Sequence, residues 1–224
     1  MFLNNLFDIP QTGNRIDILT SAGREHIRNA TVNWWQWHGW EVVLWDNTGF
    51  NVALGQNKIV DDWRTSSREL LILAHDDITL YPHRYLTAEW LKKPLKHGVY
   101  TLNSNHQMFH EHLNSTGWDD GVHHWTKTDQ ICKMFVIDNK QVPRFDEHLP
   151  AIEDAEWAWQ CWSQGIPCYR LETAFLREQS MWTHSTYANK DNSRGAMMKE
   201  HWKYILNKWG VEKKSEFRKQ YIHD

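Results

Sequence analysis

The chain has little of several things, and each shortage narrows its function. Its 224 residues include only three cysteines, Cys132, Cys161 and Cys168. That odd number, without zinc-type spacing, sets aside a thiolate zinc site and reads most simply as a reduced, intracellular, cytoplasmic protein. No apolar run approaches ~18 residues, and no basic, then apolar, then small-residue leader opens the chain, so neither a membrane span nor a signal peptide is expected. The formal charge of -3 gives no support to strong nucleic-acid binding. No internal repeat, low-complexity tract or interdomain linker is visible. The remainder is an ordinary globular composition, 24% charged and 41% hydrophobic, at a length that suits one substantial α/β domain or two small ones.

Aromatic residues are plentiful: fifteen Trp, with fourteen His. Indoles bury large area and need one hydrogen-bond partner, so most Trp are expected in the core or lining a groove.

The first hundred residues alternate regularly. RIDILT (15–20) is a β-rich run, and Ser21-Ala22-Gly23 opens a helical stretch from Arg24 to about His38. EVVLW (41–45) is a second strand, closed by the turn-rich Asp46-Asn47-Thr48-Gly49, and residues 51–66 read as a second helix. The stretch LLILAHDDITLYP (70–82) is then an apolar run that ends abruptly in His75, Asp76 and Asp77. Strands separated by helices predict a parallel sheet with its ligand crevice at the strand C-termini. Thr20, Asp46 and Asp77 would face that crevice, and a strand edge presenting two carboxylates and an imidazole asks for a hard divalent cation.

Beyond Pro82 the pattern loosens. Residues 83–97 include a helix, while 98–130 are polar, His-rich and Gly-punctuated, as in loops and short strands. ICKMFVI (131–137) is a further buried strand, EDAEWAWQCWSQ (153–164) a helix stopped at Gly165, and 168–171 a short strand. From about Ala196 a last helix carries Trp202, Ile205, Leu206 and Trp209 at helical spacing and stops at Gly210.

Taken in order, ILTSAGR, VVLWDNTG, NVALGQNKIV, the strand ending in HDD, FDEHLPAIEDAEWAWQCWSQGIPCYRL, a late Thr-His and KWG resemble the nucleotide-sugar glycosyltransferases of the A-type (GT-A) fold, especially the family-2-like group. The likeness spans roughly residues 14 to 210, and its most specific part runs from Phe145 to Gly165. One departure falls in the metal motif, where His75 stands in place of the first Asp of the usual Asp-x-Asp. The resemblance implies one α/β domain with a mostly parallel, Rossmann-like central sheet flanked by helices, an irregular acceptor side and a C-terminal helix. Residues 14–97 would form the nucleotide-binding half, 98–195 the acceptor and catalytic half, and 196–224 a helical tail.

Sugar transfer requires three things of such a chain. A leaving diphosphate must be neutralised by a cation or by Arg and Lys. Mn²⁺ or Mg²⁺ on Asp77, then Asp76, would do so, and the resemblance adds His184 to the metal shell. An acceptor hydroxyl needs a base; the resemblance implies Asp154, beside Glu153, in an inverting displacement. Nucleotide recognition is implied for Thr20, Ser21, Arg24, Asp46, Asn57 and Asp76, with a UDP-sugar as the leading donor. Asp46 suits ribose hydroxyls or a base N–H. Plainer readings stand beside each: a solvated loop or helix cap for the HDD cluster, a structural His184, helix-dipole compensation for Glu153 and Asp154, and surface charges for Arg64 and Arg68.

The tail from 199 to 224 carries seven Lys or Arg and four acids interleaved with aromatics. That pattern fits contact with DNA or an anionic membrane surface, and equally a solvated amphipathic helix. The acceptor is thus open among a glycan, a small molecule and a modified DNA base. Two other classes share parts of the signature: a metal-dependent phosphoesterase, and a non-catalytic carbohydrate-binding module using the Trp surface.

Overall fold

In the computed structural model, residues 15–21, 23–47, 51–80, 98–104, 118–119, 124–131, 133–149, 152–178 and 193–222 are described. The expected alternation appears at the start: β1 (Arg15–Ser21), α1 (Glu25–Trp37), β2 (Glu41–Asn47), α2 (Val52–Thr65) and β3 (Leu71–His75). Asn51 caps α2, its side chain accepting from the Leu54 N–H at 3.1 Å. Next come β4 (Ile78–Leu80), β5 (Val99–Ser104), β6 (Trp118–Asp119), β7 (His124–Lys127), β8 (Met134–Ile137), α3 (Glu153–Ser163), β9 (Cys168–Glu178), α4 (Ser193–Trp209) and α5 (Lys214–Tyr221). The expected helix over 83–97 lies outside the described residues.

All nine strands join one sheet in the order β2-β1-β3-β8-β5-β9-β7-β6, with β4 on β9. The parallel sheet expected from the first hundred residues is the run β2-β1-β3. Beyond β3 the sheet is mixed: β8 runs antiparallel to both β3 and β5, and β5 and β9 are again parallel. One sheet therefore joins the strands of the first hundred residues to those of the second half of the chain.

Period-two alternation divides the apolar residues between two cores, one on each sheet face. Ile16, Ile18, Ile72, Ala74, Met134 and Val136 meet Trp35 and Trp40 beside α1. On the opposite face Leu19, Leu71, Leu73, Phe135 and Ile137 meet residues of α2, α3, α4 and α5. Burial on both faces explains why β3 reads as a continuous apolar run. Asp17, fully buried in β1, is answered by Arg15 and Arg68, each at 2.6 Å, and by the Trp45 indole N–H at 2.9 Å. Arg68 thus holds the core edge.

Element limits shift for local reasons. β8 starts at Met134 rather than Ile131, because Lys133 takes φ 58°, a left-handed conformation that no strand continues. β9 continues to Glu178, well past Leu171. α4 is followed, after Gly210 at φ 63°, by the separate helix α5. The tail aromatics are core material: Phe217 is fully buried and stacks on Trp159 at 3.9 Å, with Trp209 and Tyr221 around it. Three tail cations are also occupied, Lys208 by Asp146 and Glu156, Arg218 by Asp129, and Lys214 over the Trp202 ring. Among the described residues, no helix is long and apolar enough to cross a membrane.

Candidate active site

β1, β2 and β3 are parallel, so their C-terminal ends share one sheet edge. Thr20 stands opposite Asp46 and Ser21 opposite Asn47, while Leu19 pairs with His75. Asp46 is exposed; Thr20 is buried, its hydroxyl donating to the Trp45 carbonyl at 3.1 Å. From the end of β3 the chain turns through Asp76 and Asp77 into β4. Asp76 is fully buried and reaches back across the edge, its Oδ2 accepting from the Ser21 N–H at 2.7 Å.

Arg24, at the start of α1, lies against both acids. Its Nη1 is 3.4 Å from Asp76 Oδ1 and its Nη2 is 2.6 Å from Asp77 Oδ2. Burial pushes Asp76 up to about 6, against the opposing pull of Arg24 and the Ser21 N–H. Burial also lowers His75 to about 4, with Asp77 opposing and Lys133 and Arg24 reinforcing, so its imidazole is neutral at physiological pH.

The second acidic pair comes from α3. Ile152, just before it, has φ 57°, which costs a β-branched residue roughly 1–2 kcal/mol. Lys133 and Ile152 are the non-glycine residues with positive φ among those described, and both border this site. Glu153 is 4% exposed, and burial together with neighbouring Asp154 raises it well above the carboxylate range, while Gln56 holds it down. Burial raises Asp154 to about 6, opposed by the Ala155 N–H and by Lys133.

Gln56 and Lys133 join the two pairs. Gln56, fully buried on α2, puts Nε2 3.5 Å from His75 Nε2 and opposes the upward shift of Glu153. Lys133 acts electrostatically on His75 and on Asp154, and its carbonyl accepts from the His75 N–H at 3.0 Å. Through them His75, at the end of β3, is linked to the acidic pair at the start of α3. Neither linking residue was anticipated, although each left a trace: a Gln-Asn pair inside an amphipathic helix, and a lysine inside ICKMFVI.

Asn57 is placed elsewhere. Its amide donates to the Phe145 carbonyl at 3.0 Å and to Glu147 at 2.8 Å, and accepts from the Phe145 N–H at 2.8 Å. It therefore clamps the FDE segment to α2. Asp146 in that segment makes a turn with His148 and accepts from Tyr204 and Lys208 of α4. Burial would raise it, but Lys208, the His148 N–H and Tyr204 outweigh burial and hold it well below the usual carboxylate range. Arg64 is bonded to Asp61 and to the carbonyls of Lys140 and Val142. His184 lies outside the described residues.

This arrangement can be set beside known proteins. The fold is similar to that of glycosyltransferases. The STIV protein A197 matches with a TM-score of 0.52 at 13% identity, over 75% of this chain and 87% of that one. GalNAc-T7, crystallised with UDP, GalNAc and Mn²⁺, matches with a TM-score of 0.50 at 9% identity, over 87% of this chain. This chain spans about half of that protein, 48% of its length. At these identities the likeness is one of fold. No family model and no curated protein sequence matches the chain.

The expected Mn²⁺ or Mg²⁺ can be tested against the donor set. Asp76 and Asp77 have the right oxygen chemistry. Asp76 Oδ1 and Asp77 Oδ2, however, already meet the guanidinium of Arg24, and Asp76 Oδ2 accepts from Ser21, so that of the four carboxylate oxygens only the buried Asp77 Oδ1 is not accounted for by these contacts. No group of three or more His, Cys, Asp or Glu comes together as a metal site among the described residues. As arranged, the described residues do not fit a divalent cation, because an arginine stands in its place.

Proposed function

We propose that this protein is a nucleotide-sugar glycosyltransferase that moves a sugar from a nucleoside-diphosphate donor to an acceptor hydroxyl. The observation that carries the reading is the link that Gln56 and Lys133 make between His75, at the head of the His75-Asp76-Asp77 turn, and the Glu153-Asp154 pair, at the strand C-termini of a glycosyltransferase-like fold. The base and ribose lie along Thr20, Ser21 and Asp46, with the diphosphate at the Arg24, Asp76 and Asp77 end. Asp154 takes the proton of the acceptor hydroxyl as its oxygen attacks the anomeric carbon. The anomeric C–O bond then breaks, and the diphosphate leaves with the electron pair. Attack opposite the leaving group inverts the anomeric centre. Burial raises Glu153 well above its ordinary value and Asp154 to about 6, so Asp154 is assigned the role of base.

A UDP-sugar is the leading donor and a glycan the leading acceptor class. Incubating the protein with UDP-glucose and other sugar nucleotides, with and without sugar acceptors, tests the reading. Release of nucleoside diphosphate that is lost in Asp154→Asn, with nucleotide binding retained, supports it. A carbohydrate-binding module would release none, and a phosphoesterase would cleave the diphosphate itself to nucleoside monophosphate.

A further inference from the structure

We infer that Arg24 is the resident cation of the diphosphate site, and that Asp76 and Asp77 serve to hold this arginine rather than a divalent metal. The inference rests on the sugar-nucleotide reading and assigns the origin of its leaving-group charge.

Three observations meet here. The guanidinium spans both acids, 3.4 Å from Asp76 and 2.6 Å from Asp77. The acids are pinned: Asp76 is fully buried and tied to the Ser21 N–H at 2.7 Å, and Asp77 is 4% exposed. Finally, 14% of the Arg24 side-chain surface remains open while its Nε and Nη2 are enclosed, so a ligand at the sheet edge would meet the Nη1 side of the fork.

The chemistry suits the residue. A guanidinium stays charged at any working pH and offers five donors in a planar fork, enough for one group to serve two carboxylates and a phosphate together. The acids fix its orientation before substrate arrives, which is the preorganisation that charge stabilisation of a leaving group requires. As the anomeric C–O bond breaks, the electron pair and negative charge pass to the diphosphate oxygen, and the proton from the acceptor goes to Asp154. Arg24 donates hydrogen bonds to the departing diphosphate without giving up a proton, its charge shared with Asp76 and Asp77.

The test measures binding of UDP, GDP, CDP and ADP to the full chain by calorimetry, in EDTA and in saturating Mn²⁺. For the unaltered protein the affinity of the best nucleotide should be the same in both. Arg24→Ala should weaken that nucleotide in EDTA about tenfold or more, as expected for loss of charge-assisted bonds. Mn²⁺ should restore part of the loss, because the vacated carboxylates can then take a metal. Arg24→Lys, which keeps a charge over the buried acids if the alanine variant does not fold, should bind in EDTA with intermediate affinity. Tenfold or greater loss of binding by the unaltered protein in EDTA would overturn the role of Arg24 and leave the sugar-nucleotide reading standing. Unchanged binding by a folded Arg24 variant would overturn it equally. Failure of every nucleotide to bind in either condition would overturn the donor reading and this inference with it.

Discussion

Asn57→Ala separates a packing role from a ligand role at a residue on the helix beside the site. In the fold its amide completes three hydrogen bonds of 2.8 to 3.0 Å, two with the backbone of Phe145 and one with Glu147. Alanine would leave the Phe145 N–H and carbonyl unanswered where that residue is 2% exposed. A buried polar group without a partner costs about 1–3 kcal/mol, so the two together amount to about 2–6 kcal/mol, the lower end applying if water enters. For a chain of this size each kcal/mol moves Tm by roughly 2–4 °C, which gives a fall of about 4–24 °C. Thermal unfolding followed by circular dichroism reads the fall, and nucleotide titration well below the transition reads the ligand role. A large fall in Tm with unchanged nucleotide affinity is expected. A Tm within about 2 °C of the unaltered protein, with affinity reduced tenfold, would refute the clamp and return Asn57 to the nucleotide site.

Other outcomes follow from the same contacts. Because burial raises Asp154 to about 6, the base is protonated below that pH and ionised above it, so transfer should decline as pH falls through about 6; initial rates measured across that range check it, and a flat profile would remove Asp154 from the role. Asp154→Asn should reduce turnover at least 100-fold, within the usual range for a lost general base, while nucleotide affinity holds; retained turnover would exclude it. Phe217→Ala should cost about 3–5 kcal/mol in urea unfolding, since its ring is fully buried against Trp159; a loss below about 1 kcal/mol would mean that the tail is only loosely docked. Gly98→Ala drives a Cβ into the Pro167 carbonyl oxygen, a backbone atom, and should destabilise by about 1–3 kcal/mol in the same assay.

The first half of the fold is legible in sequence because its signals are local. RIDILT, EVVLW and LLILAH sit between turn residues and amphipathic helices, and right-handed crossovers leave little choice in how they pair. The mixed half is less legible because β8 enters between β3 and β5 through pairings that no local pattern records. The tail shows the limit of composition. Its Lys and aromatic content matches a polyanion-binding surface, yet Phe217 and Trp209 pack on Trp159, and Lys208 is held between Asp146 and Glu156. Charge counting cannot tell a solvated lysine from one clamped to a buried acid.

The acids of the site were legible for a similar reason, and what connects them was not. A carboxylate at the end of an apolar strand is conspicuous because burial of an unpartnered charge is so unfavourable that its presence demands an explanation. Asp76 and Asp77 advertise themselves in this way, whereas Glu153 and Asp154, at a helix start, stand out through the family resemblance. The groups that answer them do not, since an arginine after a turn, a glutamine on a helix and a lysine at a strand start are common anywhere. Arg24 can be read from sequence as a nucleotide contact, but only the turn of β3 back toward Ser21 shows that it spans two acids. Strand-end acids in this chain therefore predict where charge is concentrated, and the three-dimensional partner decides which cation balances it. At the HDD turn that partner is a guanidinium, which makes Arg24, more than Asp77, the residue on which the electrostatics of the site depend.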